Sequence, residues 1–216
     1  METLTPLWPI LWLSLFVSGC AVLGSSVVGL PLGVWLGLSR SRSRSILASL
    51  IQTGMAMPPV VVGLFVYLLL SRSGPLGPLG WLFSPQAMIA AQFLLDLPFV
   101  IGITMTSVSA VPRDLEWQLR SLGASRLQAR WQIVREARAG ILLAIAVALG
   151  RSLSEVGAVW LVGGNIEGHT RVVTTAIVLE TNQGNFARAM ALGFVLMTVA
   201  LGLNLLIVRY QGRVSP

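Results

Sequence analysis

Pro112-Arg-Asp-Leu-Glu116-Trp-Gln-Leu-Arg120-Ser-Leu-Gly-Ala-Ser125-Arg-Leu-Gln-Ala-Arg130-Trp-Gln-Ile-Val-Arg135-Glu-Ala-Arg138 is a polar, arginine-rich stretch between two long apolar runs. It holds six of the fifteen basic residues of the chain: Arg113, Arg120, Arg126, Arg130, Arg135 and Arg138. A charged helical insert between two membrane spans has to lie on one face of the bilayer, within reach of a soluble partner. The insert interrupts a chain that otherwise reads as one apolar segment after another.

Composition agrees. The chain is 55% hydrophobic and 11% charged, with a mean hydropathy of +0.80, whereas soluble domains carry about 25% charged residues. Its 216 residues are better divided by the roughly 20 apolar residues of a spanning helix than read as one soluble globule. The net charge of +7 comes from arginine alone, since the sequence has no lysine. These arginines cluster between apolar segments, which is the pattern of cytoplasmic loops and not of a nucleic-acid footprint. Cys20 is the single cysteine, so there is no disulfide framework. Glu2 is the only charge before Arg40, and the first apolar run outlasts the roughly 7–15 residues of a signal-peptide core. It reads as a retained span.

Five spans are expected, at 7–38, 46–70, 86–111, 140–162 and 186–208, in a single all-α membrane domain over 1–216. Gly29, Pro31 and Gly33 suggest a tilt or kink in the first. Pro58-Pro59 removes two backbone donors from the middle of the second, which must bend or break there. Such a break is tolerated at bilayer depth only where protein or water covers the freed carbonyls. Residues 71–85 read as a turn-rich loop and 163–185 as a polar loop. Placing Arg40, Arg42, Arg44, the 112–138 insert, Arg209 and Arg213 on one side gathers eleven of the fifteen arginines. That side is then cytoplasmic, with the N-terminus outside and the C-terminus inside. Trp8, Trp12 and Trp81 fall near span ends, as interfacial tryptophans do.

Within the insert, Asp114 and Glu116 suit the start of a helix. Leu115, Leu119 and Leu122 form an apolar stripe. Gly123 is placed to end that helix in a left-handed conformation, and Ser125 to cap a second one. This second helix would carry Leu127, Trp131 and Val134 on one side. Two uses fit such a basic, amphipathic hairpin: docking in the groove of a partner, or lying on anionic lipid.

Glu116, six intervening residues and then Gly123-Ala124-Ser125 resemble the cytoplasmic motif of permease subunits of ATP-binding-cassette importers. Trp117 and Gln118 stand where that motif usually has two alanines, and Arg135 or Glu136 where it has a proline. The resemblance implies that Glu116, Leu119, Leu122, Gly123, Ala124 and Ser125 form a coupling helix that inserts into a separate ATPase subunit. The stretch 150–159, Gly-Arg-Ser-Leu-Ser-Glu-Val-Gly-Ala-Val, resembles the fourth span of permeases for molybdate, sulfate and tungstate. The continuation from Val162 through Thr181, with Gly184 and 189–193, is most similar to the tungstate type. The resemblance covers nearly the whole chain. It implies a type I importer permease acting as a homodimer in a prokaryotic inner membrane, with two ATPases and an extracytoplasmic oxyanion-binding protein.

The absence of lysine excludes a Gly-x-x-x-x-Gly-Lys phosphate loop, so ATP and magnesium belong to the partner ATPase and this chain needs no cofactor. Ionisable residues within spans mark pathways by default. Asp96, Arg151 and Glu155, with Ser154 beside them, are therefore candidates for the translocation path. Arg151 and Glu155, four residues apart, can share a helix face. The alternative is a neutralised cluster, with Arg151 paired to Glu155 or Asp96. Asn165, Thr170, Arg171, Thr174 and Thr175 offer donors suited to an oxyanion, or else form a solvated loop that touches the binding protein. His169 has no metal-ligand spacing around it. An intramembrane enzyme built on Asp96, Glu155 or His169 is the reading from another class, and no catalytic signature surrounds those residues.

Overall fold

The computed structural model describes residues 7–39, 43–112 and 114–212; Arg40, Arg42, Arg113 and Arg213 of the charge pattern lie outside them. Among the described residues there are ten α-helices and no strand. Three helices are each long and apolar enough to cross a membrane: α1 (Leu7–Leu38), α4 (Pro85–Ala110) and α10 (Phe186–Gly212). Two further candidates are bent pairs. One joins α2 (Ser43–Met55) to α3 (Pro59–Leu70) at 94°, the other α7 (Arg138–Ser154) to α8 (Gly157–Gly163) at 58°. The insert forms α5 (Asp114–Ser121) and α6 (Arg126–Glu136).

The first break follows from Pro58-Pro59. Neither proline donates, and the helix restarts when the N–H groups of Val61 and Val62 both find the carbonyl of Pro58. The break is exposed on the single chain. A second break, which the apolar run 140–162 does not announce, sits at Glu155. There the backbone turns extended, and the carboxylate accepts the Ala158 N–H at 3.0 Å at the start of α8. Thr174 donates its hydroxyl to the Glu155 carbonyl at 2.8 Å. Side chains thus satisfy the groups that the break frees, as a low-dielectric setting requires.

The main packing seam joins α1 to α4. Gly29, Gly33 and Gly37 recur every fourth residue, and a Cβ on each would lie 2.7–2.8 Å from Val100, Thr104 or Val108 of α4. Bundles in lipid associate through such close backbone approach, because lipid tails are as apolar as the helices themselves. The glycines expected to tilt or kink the first span therefore serve as contact points, and α1 runs unbroken through Pro31.

The expected polar loop over 163–185 is corrected. It contains a ninth helix, α9 (Val173–Asn182), and Val173, Thr174, Thr175 and Ala176 are buried in it. Ser14 of α1 accepts the Val173 N–H at 2.9 Å and ties this helix into the bundle. On α10, Phe186, Met190, Phe194, Met197, Leu201 and Leu205 leave an exposed apolar face along the helix.

Candidate functional site

The insert is a helical hairpin with a defined turn. Gly123 has φ +91°, the Ala124 N–H reaches the Leu119 carbonyl at 3.0 Å, and α5 ends there. Ser125 then caps α6 reciprocally. Its hydroxyl accepts the Gln128 N–H at 3.3 Å while Gln128 Oε1 accepts the Ser125 N–H at 2.8 Å. The hairpin is anchored by Leu115, Ile133 and Ala137 against Val108 and Val111. Leu122 departs from the expected stripe and is 85% exposed at the tip, with Leu127 at 78% and Trp131 at 70%. The face of α6 that packs on the bundle is Ala129 and Ile133, and Leu127 and Trp131 point away from it. Glu116 looks the other way. It lines a cavity with Gly37, Arg44, Ser109 and Ile133, where the ends of α1, α2 and α4 meet. Arg44 Nη2 donates to Ser109 Oγ at 2.5 Å across that junction.

A second cluster lies inside the bundle, between α4 and the last turn of α7. Asp96 is 1% exposed beside the Ser152 hydroxyl, and neither of its carboxylate oxygens makes a hydrogen bond of ordinary geometry. Gln92, one turn earlier, donates Nε2 to the Ser152 carbonyl at 2.9 Å, while its Oε1 and the Ser152 hydroxyl are unpartnered. Arg151 is half-buried and stacks its guanidinium carbon 4.6 Å from the centroid of the Phe99 ring. Its Nε is buried without a partner. The expected pairing of Arg151 with Glu155 does not form, because α7 stops at Ser154 and Glu155 leaves the shared face to cap α8. Nor do the Asp96 oxygens meet the guanidinium, although the two groups are within electrostatic reach.

The remaining candidates separate by burial. Ser154 is exposed and donates to the Arg151 carbonyl at 3.0 Å. Thr174 lines a narrow cleft with Ser14, Ser18, Gln92, Ser152 and Glu155. Thr175 is fully buried, with its hydroxyl exchanging hydrogen bonds with the Val172 backbone. Thr170 is likewise consumed, donating to the Gly163 carbonyl at 2.6 Å. Asn165 takes a left-handed φ of 51° in the turn after α8, and its Oδ1 is buried and unpartnered. Arg171 pairs with Glu167 at 3.4 Å. Gln92, Phe99 and Ser152 also belong to the cluster of Asp96 and Arg151. Gln92 is legible as a polar residue one turn from Asp96 in an apolar run, but Phe99 carries no signal until its ring is seen under Arg151.

Residues 29–216 match the family described as binding-protein-dependent transport system inner membrane component. A probable anion ABC transporter permease protein of Haloferax volcanii is 43% identical over 215 residues, which cover 97% of this chain and 93% of the relative. The tungstate uptake system permease protein of Peptoclostridium acidaminophilum is 39% identical over 204 residues, with 94% and 90% covered. Among solved structures, a chain of the MetNI methionine ABC transporter in an inward-facing conformation matches with a TM-score of 0.80 at 17% identity, covering 100% of both chains. That likeness speaks for the fold, which is the permease fold of type I ABC importers. With its membrane-capable helices and nearly full-length match, the chain belongs to the inner membrane components of binding-protein-dependent transport systems, a multi-pass transport subunit and not an enzyme.

Proposed function

We propose that this chain is the permease of an ATP-driven oxyanion importer and that its cargo is tungstate. Two copies pair in the membrane, an extracytoplasmic receptor delivers the anion, and two ATPase subunits drive alternating access from the cytoplasmic side. The N-terminus is outside, the C-terminus inside, and 1–216 works as one transmembrane unit. The hairpin of α5 and α6 is the coupling element. Glu116, Leu119, Leu122, Gly123, Ala124 and Ser125 make up the coupling segment, with Leu122 to Ser125 at its docking tip and Glu116 turned toward the bundle. ATP-driven closure draws the two hairpins together, and the spans rock so that the path opens outward.

One observation supports the anion reading above the others: Arg151 sits inside the bundle with no ion pair among the described residues. A guanidinium in such a place is costly unless it meets an anion, and its planar fork matches a tetrahedral oxyanion. Ser154 and Thr174 support the site through backbone, donating their hydroxyls to the carbonyls of Arg151 and Glu155. Asn165 and Thr175 shape the turn after α8 and the start of α9. The likeness to a tungstate uptake permease supports the choice of cargo.

The test is uptake by proteoliposomes holding the permease and its ATPase, with tungstate, molybdate and sulfate receptors compared. Tungstate uptake is expected to exceed the other two, and Arg151→Gln to lower it at least about tenfold while receptor docking persists. Preferred uptake of molybdate or sulfate would reassign the cargo. Normal uptake by Arg151→Gln would remove Arg151 from the path.

A further inference from the structure

We infer that Arg151 is a two-position anion latch, docked on Phe99 to accept the oxyanion and on Asp96 to expel it. The inference rests on the oxyanion reading and adds a release step to it.

Asp96 and Phe99 are three residues apart on α4, so they lie on one face of the helix, one above the other. Both face α7 near Arg151. The guanidinium rests on the aromatic ring at 4.6 Å. Stacking holds the cation through the face of the ring and takes up none of its N–H donors, which remain for a ligand. The buried carboxylate one turn away, at 1% exposure, has the Ser152 hydroxyl beside it but no ion pair and no hydrogen bond of ordinary geometry on either oxygen. An ionised carboxylate so placed is unfavourable unless a second arrangement of the protein satisfies it. Arg151 is the cation within its electrostatic reach, and Glu155 is the other charged group there. Glu155 is committed to the N–H of Ala158. Moving the guanidinium from Phe99 to Asp96 would pair both orphans and neutralise the charge that holds the anion.

A trigger for that movement abuts the same turn. Pro98 lies between the two docks, and a Cβ on Gly54, at the end of α2, would be 3.1 Å from its ring. Gly102 faces Met55 and Ile51 in the same way. Rocking α2 against α4 during the transport cycle would therefore press on the segment that carries both docks. Exchange between the two docks is then a movement of the Arg151 side chain assisted by that displacement of α4.

The latch makes a prediction that a merely structural role for Asp96 does not. In the intact complex of permease, ATPase and receptor, Asp96→Asn keeps the shape but removes the negative charge that competes for the cation. Tungstate retained by the complex should rise about tenfold while its uptake into proteoliposomes falls about tenfold. Phe99→Leu should do the opposite to retention, and Phe99→Trp should restore it. A variant that simply misfolds lowers both readings. Loss of both in Asp96→Asn despite normal assembly, or no change in either, would overturn the latch. Arg151→Gln separates the two levels: if it also transports normally the oxyanion path itself is wrong, and if it is inactive while Asp96→Asn is neutral, the latch alone fails.

Discussion

Gly63 of α3 and Ala158 of α8 are in backbone contact, so that a Cβ added to Gly63 would lie 2.6 Å from the Ala158 Cα. Gly157 repeats the contact one residue earlier, where its Cβ would meet Val60 at 2.8 Å. Each of these helices follows a break, α3 after Pro58 and α8 after Glu155. The second halves of the two bent spans therefore pack against each other, in the same core as Val17 of α1 and Met88, Ala91 and Leu95 of α4.

Gly63→Val has no space to occupy, because its obstacle is backbone and not the end of a flexible side chain. It should destabilise the protein by about 1–3 kcal/mol, as overpacking of a close seam does. The check is the thermal unfolding midpoint in detergent beside Gly19→Ala, whose Cβ meets nothing within 4 Å. Equal midpoints for the two variants would mean that α3 and α8 are not in contact in the membrane.

Gly33→Leu probes the seam between α1 and α4. Its Cβ would lie 2.7 Å from Thr104 Cβ and 2.8 Å from the Ile101 carbonyl oxygen. Small residues let these helices associate without a hydrophobic driving force. A bulky one should separate them and expose the buried Thr104 and Val100. Faster proteolysis and labelling of an introduced cysteine at Val100 would report the separation, and unchanged protection would contradict it.

How much of this is legible in the sequence depends on whether the signal is local. The break at Pro58-Pro59 is, since a proline pair cannot continue the hydrogen-bond ladder. The turn at Gly123 and the cap at Ser125 are too, since each depends on residues within a few positions. The break at Glu155 is not: it depends on Thr174, nineteen residues away, reaching the freed carbonyl. The same distance hides α9, whose threonines resemble a solvated loop until the bundle buries them. Arg151 and Glu155 look like a helical pair for as long as the helix is assumed to continue. Phe99 is one apolar residue among many until Arg151 lies over it.

The turn of the insert is set by Gly123 at φ +91° and by the reciprocal cap of Ser125 and Gln128. Ser125→Ala removes one acceptor and should cost about 1 kcal/mol of local stability. Gly123→Val forces a β-branched residue into a left-handed conformation and should cost more. Hydrogen exchange should quicken at the Gln128 amide in the first variant and across the hairpin in the second, with the spans unaffected. If the coupling assignment holds, uptake falls in the same order. Uptake that ignores both substitutions would detach the hairpin from transport.

Leu122, Leu127 and Trp131 present an apolar surface that the chain itself does not cover, on a hairpin that also carries Arg126 and Arg130. Two partners fit that mixture, an ATPase cleft and an anionic lipid surface. They respond differently to a single charge placed at the tip. Leu122→Asp touches no packed neighbour, so the folding of the permease should not change. In a cleft the aspartate is desolvated at the centre of an interface, where loss of an anchor typically costs 2 kcal/mol or more, about thirtyfold in affinity. On lipid the tip leucine is one contact among several along a helix, and its loss weakens adhesion only slightly. Retention of the ATPase through affinity purification of the tagged permease separates these cases. Strong loss of the ATPase with Leu122→Asp, against slight loss with Leu201→Asn on the exposed face of α10, is the expected result. Full retention in both would leave the hairpin to the membrane surface and remove the mechanical link between nucleotide and path.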